Sequence, residues 1–325
     1  MLSHAGMSGS RTEFQRIAAL ARLFGPATAP DVGIGDDAAV LHPSTAVLAT
    51  VDAAVEGVHF RREFATLDVV SQRAIEAAAS DIAAMGGTLS GPGCGLLLAW
   101  GLPHNLGEND FLALGHGALA AAERLDTAVL GGNLSASPVL SLTTTILGRS
   151  GARVVTRGGA RPGDIVAVSG ASGAAAAGLH ALLLGLGDDP ALKDVIARWR
   201  FPRARVDLAS EVARVATAAI DVSDGLLADA AHLASASSCH LRIRLNALPV
   251  TESLRTSATR LGLPLEALML SGGEDYNLLI TAEKAQVGPP WIVIGEVLAG
   301  GGVEVVDEMG DLVLVSARGW DHFED

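Results

Sequence analysis

Lysine is almost absent from this 325-residue chain. Lys193 and Lys284 are the two examples among 23 basic residues, and neither lies in a G-x-x-x-x-G-K-[ST] frame. A P-loop phosphate site is therefore excluded. Cysteine is as scarce: Cys94 and Cys239 make neither a disulfide framework nor a thiolate metal site. Basic charge as a whole is short, 23 Lys+Arg against 36 Asp+Glu for a net of −13, which excludes nucleic-acid binding by bulk charge. No stretch reaches about 18 unbroken apolar residues, because glycine, histidine or a charge interrupts each one, so no membrane span is expected. Met1–Ser10 lacks the basic start and apolar run of a secretion signal. These absences lead to the expectation of a soluble, cytoplasmic protein with no nucleic-acid and no membrane partner. Any phosphate chemistry in it must rely on metal ions to offset negative charge.

What is present is apolar residues, 49% of the chain against 18% charged, a balance that excludes a disordered protein. The length fits two domains of roughly 100–200 residues each. Thr12–Phe24 has apolar residues at helical spacing and stops at Gly25-Pro26. Val47–Val51 is a β-prone run, Leu67–Met85 an Ala-rich helix ending at Gly86-Gly87, Leu96–Trp100 a buried strand and Asp110–Leu125 a helix. Ala128–Leu130 and Val139–Leu147 read as strands separated by a Gly-Gly-Asn turn region. The Gly/Arg-rich stretch Gly148–Gly163 breaks the pattern and marks a domain boundary, giving domains 11–149 and 150–325. Beyond it come a strand at Asp164–Ser169, a long helix to about Leu186, helices at Val206–Ala218 and Gly225–Ser237, and strands at Ala219–Val222, Leu241–Leu245, Tyr276–Thr281 and Trp291–Ile294. Both halves are mixed α/β.

The acids are placed unusually. Asp36 and Asp37 follow Gly33-Ile-Gly; Asp52 follows Leu48-Ala-Thr-Val; Asp81 lies within an Ala-rich helix. The second half adds Asp221 and Asp224 in Ile220-Asp-Val-Ser-Asp-Gly-Leu, and Glu274 and Asp275 in Ser271-Gly-Gly-Glu-Asp-Tyr. Acids among glycines and aliphatic residues are costly unless something cationic holds them. With few basic residues nearby, hard divalent cations fit: Mg²⁺ takes one or two carboxylates with water and phosphate oxygens. Helix caps explain each motif singly. They do not explain the same arrangement in both halves.

Six motifs in order, Gly33-Ile-Gly-Asp-Asp-Ala, Val55-Glu-Gly-Val-His-Phe, Ser80-Asp-Ile-Ala-Ala-Met-Gly, Arg161-Pro-Gly-Asp, Ile220-Asp-Val-Ser-Asp-Gly-Leu and Leu270-Ser-Gly-Gly-Glu-Asp-Tyr, run between Glu13-Phe14-Gln15 and Gly319-Trp320-Asp321-His322-Phe323. On these residues the chain resembles the thiamine-monophosphate kinase family of the aminoimidazole-ribonucleotide-synthetase-like (PurM-like) superfamily. The resemblance implies a two-domain α/β fold whose N-terminal domain forms a homodimer sheet or barrel. It implies ATP as co-substrate, thiamine monophosphate as acceptor and several Mg²⁺ ions. An ionised phosphate acceptor requires no general base or nucleophile, so catalysis is positioning and charge neutralisation.

By the same resemblance Asp37, Thr50, Asp52, Asp81, Asn133, Asp221 and Asp224 are metal ligands. Gly131, Gly132, Asn133, Arg157 and Ser223 serve ATP, while His59, Glu274 and Trp320 meet the thiamine substrate. Departures from the family pattern are Val51 for a hydroxyl residue, Asn133 for an aspartate, Ala78 for an asparagine and Ala174 for a small polar or acidic residue. Asn133 removes one negative charge and implies weaker or fewer metals. It leaves open a non-catalytic nucleotide or thiamine-phosphate binder, or another ATP-dependent enzyme of the superfamily.

Overall fold

The computed structural model describes residues 19–20, 22–25, 43 and 45–314. Of the helix expected over 12–24, residues 19–20 and 22–24 are described and are helical; the Gly33–Ala38 motif and the C-terminal Trp320 segment lie outside the described residues.

The first sheet holds β1 (Val47–Val55), β2 (Gly87–Thr88), β3 (Gly95–Leu102), β4 (Val129–Ala136) and β5 (Ser141–Ser150), in the order β1-β5-β3-β4 with β2 on β5. β5 alternates buried and half-buried residues, with Leu142, Thr144 and Ile146 inward, as one covered face requires. Two helices cover it, α1 (Leu67–Ala84) and α2 (Glu108–Arg124). Fourteen of the eighteen residues of α1 are buried, because it packs on β1 and β5 and also reaches the second sheet. A helix covered nearly all round needs small side chains, which is what Ala74, Ala78, Ala79 and Ala83 supply. Gly117 of α2 permits the closest helix approach: a Cβ there would stand 2.0 Å from the Asp68 carbonyl oxygen.

The second half adds β6 (Ile165–Val168), α3 (Ala174–Leu183), α4 (Lys193–Arg200), α5 (Ala209–Val215), β7 (Ala216–Val222), α6 (Leu226–Ser237), β8 (His240–Arg244), α7 (Glu252–Leu261), α8 (Leu265–Ser271), β9 (Asn277–Ala282), β10 (Ile292–Leu298) and β11 (Gly302–Val306). Its sheet runs β11-β8-β10-β6-β9-β7, antiparallel except for the parallel β8–β11 pair. β6 and β9 are buried throughout, so neither alternates: β6 is an unbroken apolar run, and β9 is apolar but for the buried Asn277 and Thr281.

Two expectations are corrected. Gly131-Gly132-Asn133 is not a turn but the middle of β4, paired in parallel with Leu97–Ala99 of β3. Glycine is required there because a Cβ on Gly132 would lie 1.9 Å from the Leu98 carbonyl oxygen. The helix expected over Val206–Ala218 stops at Val215, and β7 begins at Ala216. Alanines fit either state, and pairing with β9 decides for the strand.

Candidate active site

The site forms where α1 of the first half meets the loops after β7 and α8 of the second. On β1, Thr50 and Asp52 share one strand face and Val51 takes the other. Thr50 Oγ1 donates to Asp81 Oδ2 at 2.5 Å, so β1 and α1 are joined at the acid that the sequence singles out. Val51 lies opposite this bond, so its missing hydroxyl leaves the Thr50–Asp81 pairing intact.

Asp221, at the end of β7, is 5% exposed. Burial first, then the charge of Asp81, pushes its carboxyl up to about 7, with Arg157 opposing. Two acids 140 positions apart in sequence therefore feel each other's charge across the two halves. The loop after β7 is fixed by Asp229, whose Oδ2 accepts the backbone N–H groups of Ser223 (3.0 Å), Asp224 (3.2 Å) and Gly225 (3.2 Å). Burial, then the charges of Asp221 and Asp224, raises Asp229 to about 8.

The loop after α8 is docked on the same turn. Glu274 N–H donates to the Ser223 carbonyl at 2.8 Å and Tyr276 N–H to that of Val222 at 3.0 Å. Glu274 and Tyr276 have φ of +66° and +50°, a left-handed conformation that costs non-glycine residues roughly 1–3 kcal/mol and concentrates at functional sites. Glu274 Oε1 pairs with Arg73 Nη2 at 2.5 Å, and Oε2 accepts from Trp199 Nε1 at 2.9 Å. The Arg73 guanidinium also lies over the Trp199 ring, 4.3 Å from its centroid. Burial holds the Tyr276 phenol well above its usual range, reinforced by the charges of Glu274, Asp52 and Asp221.

A cleft runs between these parts, lined by Asp52, His59, Phe60, Arg73, Glu274 and Tyr276 among others. His59 Nδ1 accepts the Val55 N–H at 3.1 Å, which leaves Nε2 to carry the ring proton. The structure thus brings together Thr50, Asp52, His59, Asp81, Asp221, Ser223, Asp224 and Glu274. Gly131, Gly132 and the exposed Asn133 sit on β4, separated from β1 by β5 and β3, whereas Arg157, exposed in the loop before β6, is near enough for its charge to act on Asp221. Asp37 and Trp320 lie outside the described residues.

The expectation that basic residues are missing from the Ser271–Tyr276 acids is corrected. Arg73 holds Glu274, and buried Asp275 is bound by Arg198 and by the N–H groups of Gly173 and Ala175. The partners are 201 and 77 positions distant, so proximity in sequence could not reveal them. Asp229 is the most legible of the residues that sequence reasoning missed, being an acid in the first turn of a helix after Ser-Asp-Gly. Arg73 and Trp199 carry no motif of their own, and Tyr276 closes the Leu270–Tyr276 motif without having been given a role.

Among the described residues, no three His, Cys, Asp or Glu side chains are close enough to hold a metal ion. The Asp81–Asp221 pair with the Thr50 hydroxyl still suits Mg²⁺, which binds through one or two carboxylates and completes its shell with water and phosphate oxygens. The raised Asp221 fits this: a buried acid repelled by a half-buried neighbour gains from an intervening dication.

The N-terminal domain of AIR synthase related proteins matches residues 35–150, and the C-terminal domain matches residues 161–308. Thiamine-monophosphate kinase of Aquifex aeolicus is 36% identical over 294 residues, spanning 89% of this chain and 92% of that one. The Caulobacter vibrioides thiamine-monophosphate kinase is 34% identical over 331 residues, with 96% and 91% covered. The structure of AaThiL complexed with AMPPCP and TMP superposes with a TM-score of 0.80 at 32% identity, covering 98% of this chain and all of that one. With two AIR-synthase-related domains in sequence and relatives of this identity over nearly its whole length, the chain belongs to the thiamine-monophosphate kinase family and has its two-domain PurM-like fold.

Proposed function

We propose that this chain transfers the γ-phosphoryl group of ATP to thiamine monophosphate, yielding thiamine diphosphate and ADP. The observation in the chain itself that carries the reading is that Asp81 and Asp221, from opposite halves, act on each other, while Asp52, His59 and Glu274 line a cleft between the same halves. A phosphate oxygen of the acceptor attacks the γ-phosphorus while the bond to the β,γ-bridging oxygen breaks, and ADP leaves with that electron pair. No residue must remove a proton from an ionised phosphate, which accords with a site holding carboxylates rather than a nucleophile–base pair.

Asp81, Asp221 and Thr50 would hold Mg²⁺, with Asp52 and Asp224 at the margins of the group and Asp37 joining from outside the described residues. Bound there, Mg²⁺ would neutralise the phosphate charges that otherwise oppose approach of two anions. Ser223 and Arg157 serve the nucleotide phosphates, as do Gly131, Gly132 and Asn133. His59 and Glu274 contact the thiamine moiety, on which Trp320 stacks. The domains divide at 149/150, one residue before the end of β5. The protein works in the cytoplasm as a homodimer; no helix among the described residues is long and apolar enough to cross a membrane.

An ADP-release assay with ATP, Mg²⁺ and thiamine monophosphate tests the reading. The wild type is expected to turn over, and Asp81→Asn to lose at least about 100-fold in kcat. A second reading, a binder without turnover, rests on the neutral amide of Asn133 in place of an acid. It holds if the wild type binds both ligands, releases no ADP and gains activity in Asn133→Asp.

A further inference from the structure

We propose that Arg73 is a positioning residue for the thiamine substrate: it holds the Glu274 carboxylate in the cleft in the orientation that receives a cationic, thiazolium-bearing ligand. This rests on the functional reading above and deepens it.

Three observations support it. Arg73 is 7% exposed on α1 in the first half of the chain, yet its partners, Trp199 and Glu274, belong to the second half. Its guanidinium donates to Glu274 Oε1 and to the Trp199 carbonyl while resting on the Trp199 ring, and the indole N–H takes Glu274 Oε2. Both carboxylate oxygens are thus engaged, although the Glu274 side chain remains 30% exposed and lines the cleft beside Arg73. A carboxylate with each oxygen fixed by a separate donor has little rotamer freedom left, so a ligand meets it already oriented.

The backbone supplies the third observation. Glu274 sits at φ +66°, a strained conformation that persists where surrounding contacts over-determine it. The pairing with Arg73 and Trp199 is such a contact. An unpaired Glu274 would be free to swing its carboxylate out of the cleft. The planar fork of arginine matters here, because a lysine could reach the carboxylate but could not also stack on the indole.

The test uses the full chain, with KM measured separately for thiamine monophosphate and for ATP. Arg73→Met is expected to raise the KM for thiamine monophosphate about tenfold and leave the KM for ATP within about twofold, with Arg73→Lys recovering part of the loss. Trp199→Phe keeps an aromatic face, though a smaller one, and removes the N–H donor. It is expected to move the same constant in the same direction by a smaller factor, which keeps the proposal falsifiable if Arg73→Met does not fold. An unchanged KM for thiamine monophosphate in both folded variants, or equal rises in both constants, overturns the positioning role. A wild type that neither binds nor turns over thiamine monophosphate overturns the functional reading beneath it.

Discussion

The strongest constraint at the scale of single residues is the proton on Asp221. In the unfolded chain an aspartate titrates near 3.8, whereas in the fold burial and Asp81 move this one to about 7. The folded state therefore keeps a proton that the unfolded state has given up. That contribution to stability is complete below about pH 4 and is lost as pH rises through about 7, with Asp229 extending the loss to about 8. In chelator, the melting temperature is expected to fall between about pH 5 and 8. Asp221→Asn should flatten that fall and melt higher than the wild type at the alkaline end, and Mg²⁺ should restore the wild type there. Thermal melts across this range check it; a wild-type profile as flat as that of the variant would remove Asp221 from the acidic pair. The acids themselves were legible in the sequence because they stood among glycines and alanines. Their cations were not, because Arg73 and Arg198 reach Glu274 and Asp275 only once the chain is folded.

At the scale of elements, legibility followed periodicity. The bounds expected for α1, Leu67–Met85, match the observed Leu67–Ala84 because a long Ala-rich segment ends at a glycine with φ +72°. The Gly-Gly-Asn segment misled because glycines that signal a turn by composition are used here for close strand approach. α7 carried an unread signal, since Thr251 caps it by accepting the Leu254 N–H at 3.2 Å. Gly117 of α2 shows the same economy of space between helices. Gly117→Ala should raise helix propensity, yet its Cβ would stand 2.0 Å from the Asp68 carbonyl oxygen, so α1 and α2 must separate. Because α1 also carries Arg73 and Asp81, the variant is expected to lose at least about 2 kcal/mol of stability in urea unfolding and to lower kcat as well. A gain in stability, as propensity alone predicts, would show that the crossing is looser than described.

At the scale of the whole molecule, the described residues leave the first sheet with two open edges, β1 and β4. Among the described residues, β1 is a nine-residue edge strand, with Val47 45% and Val51 65% exposed. It carries none of the usual protection against edge pairing: no lysine, no proline, and Asp52 as its single charge. A second copy of the chain would pair this edge and cover the exposed valines, and on this basis the homodimer proposed above is placed at β1. It also accounts for Val51, whose departure from the family's hydroxyl places an apolar group on the face away from Asp81. The wild type is expected to run at twice the 33.1 kDa chain mass in light scattering at micromolar concentration, and Val51→Lys to shift it toward the monomer. Activity then separates two roles for the interface. If β1 pairing holds Thr50 and Asp52 in register with Asp81, Val51→Lys loses turnover in proportion to the dimer lost, and raising its concentration restores both together. A wild type that stays monomeric, or a monomeric variant with full turnover, would detach the active site from the β1 edge.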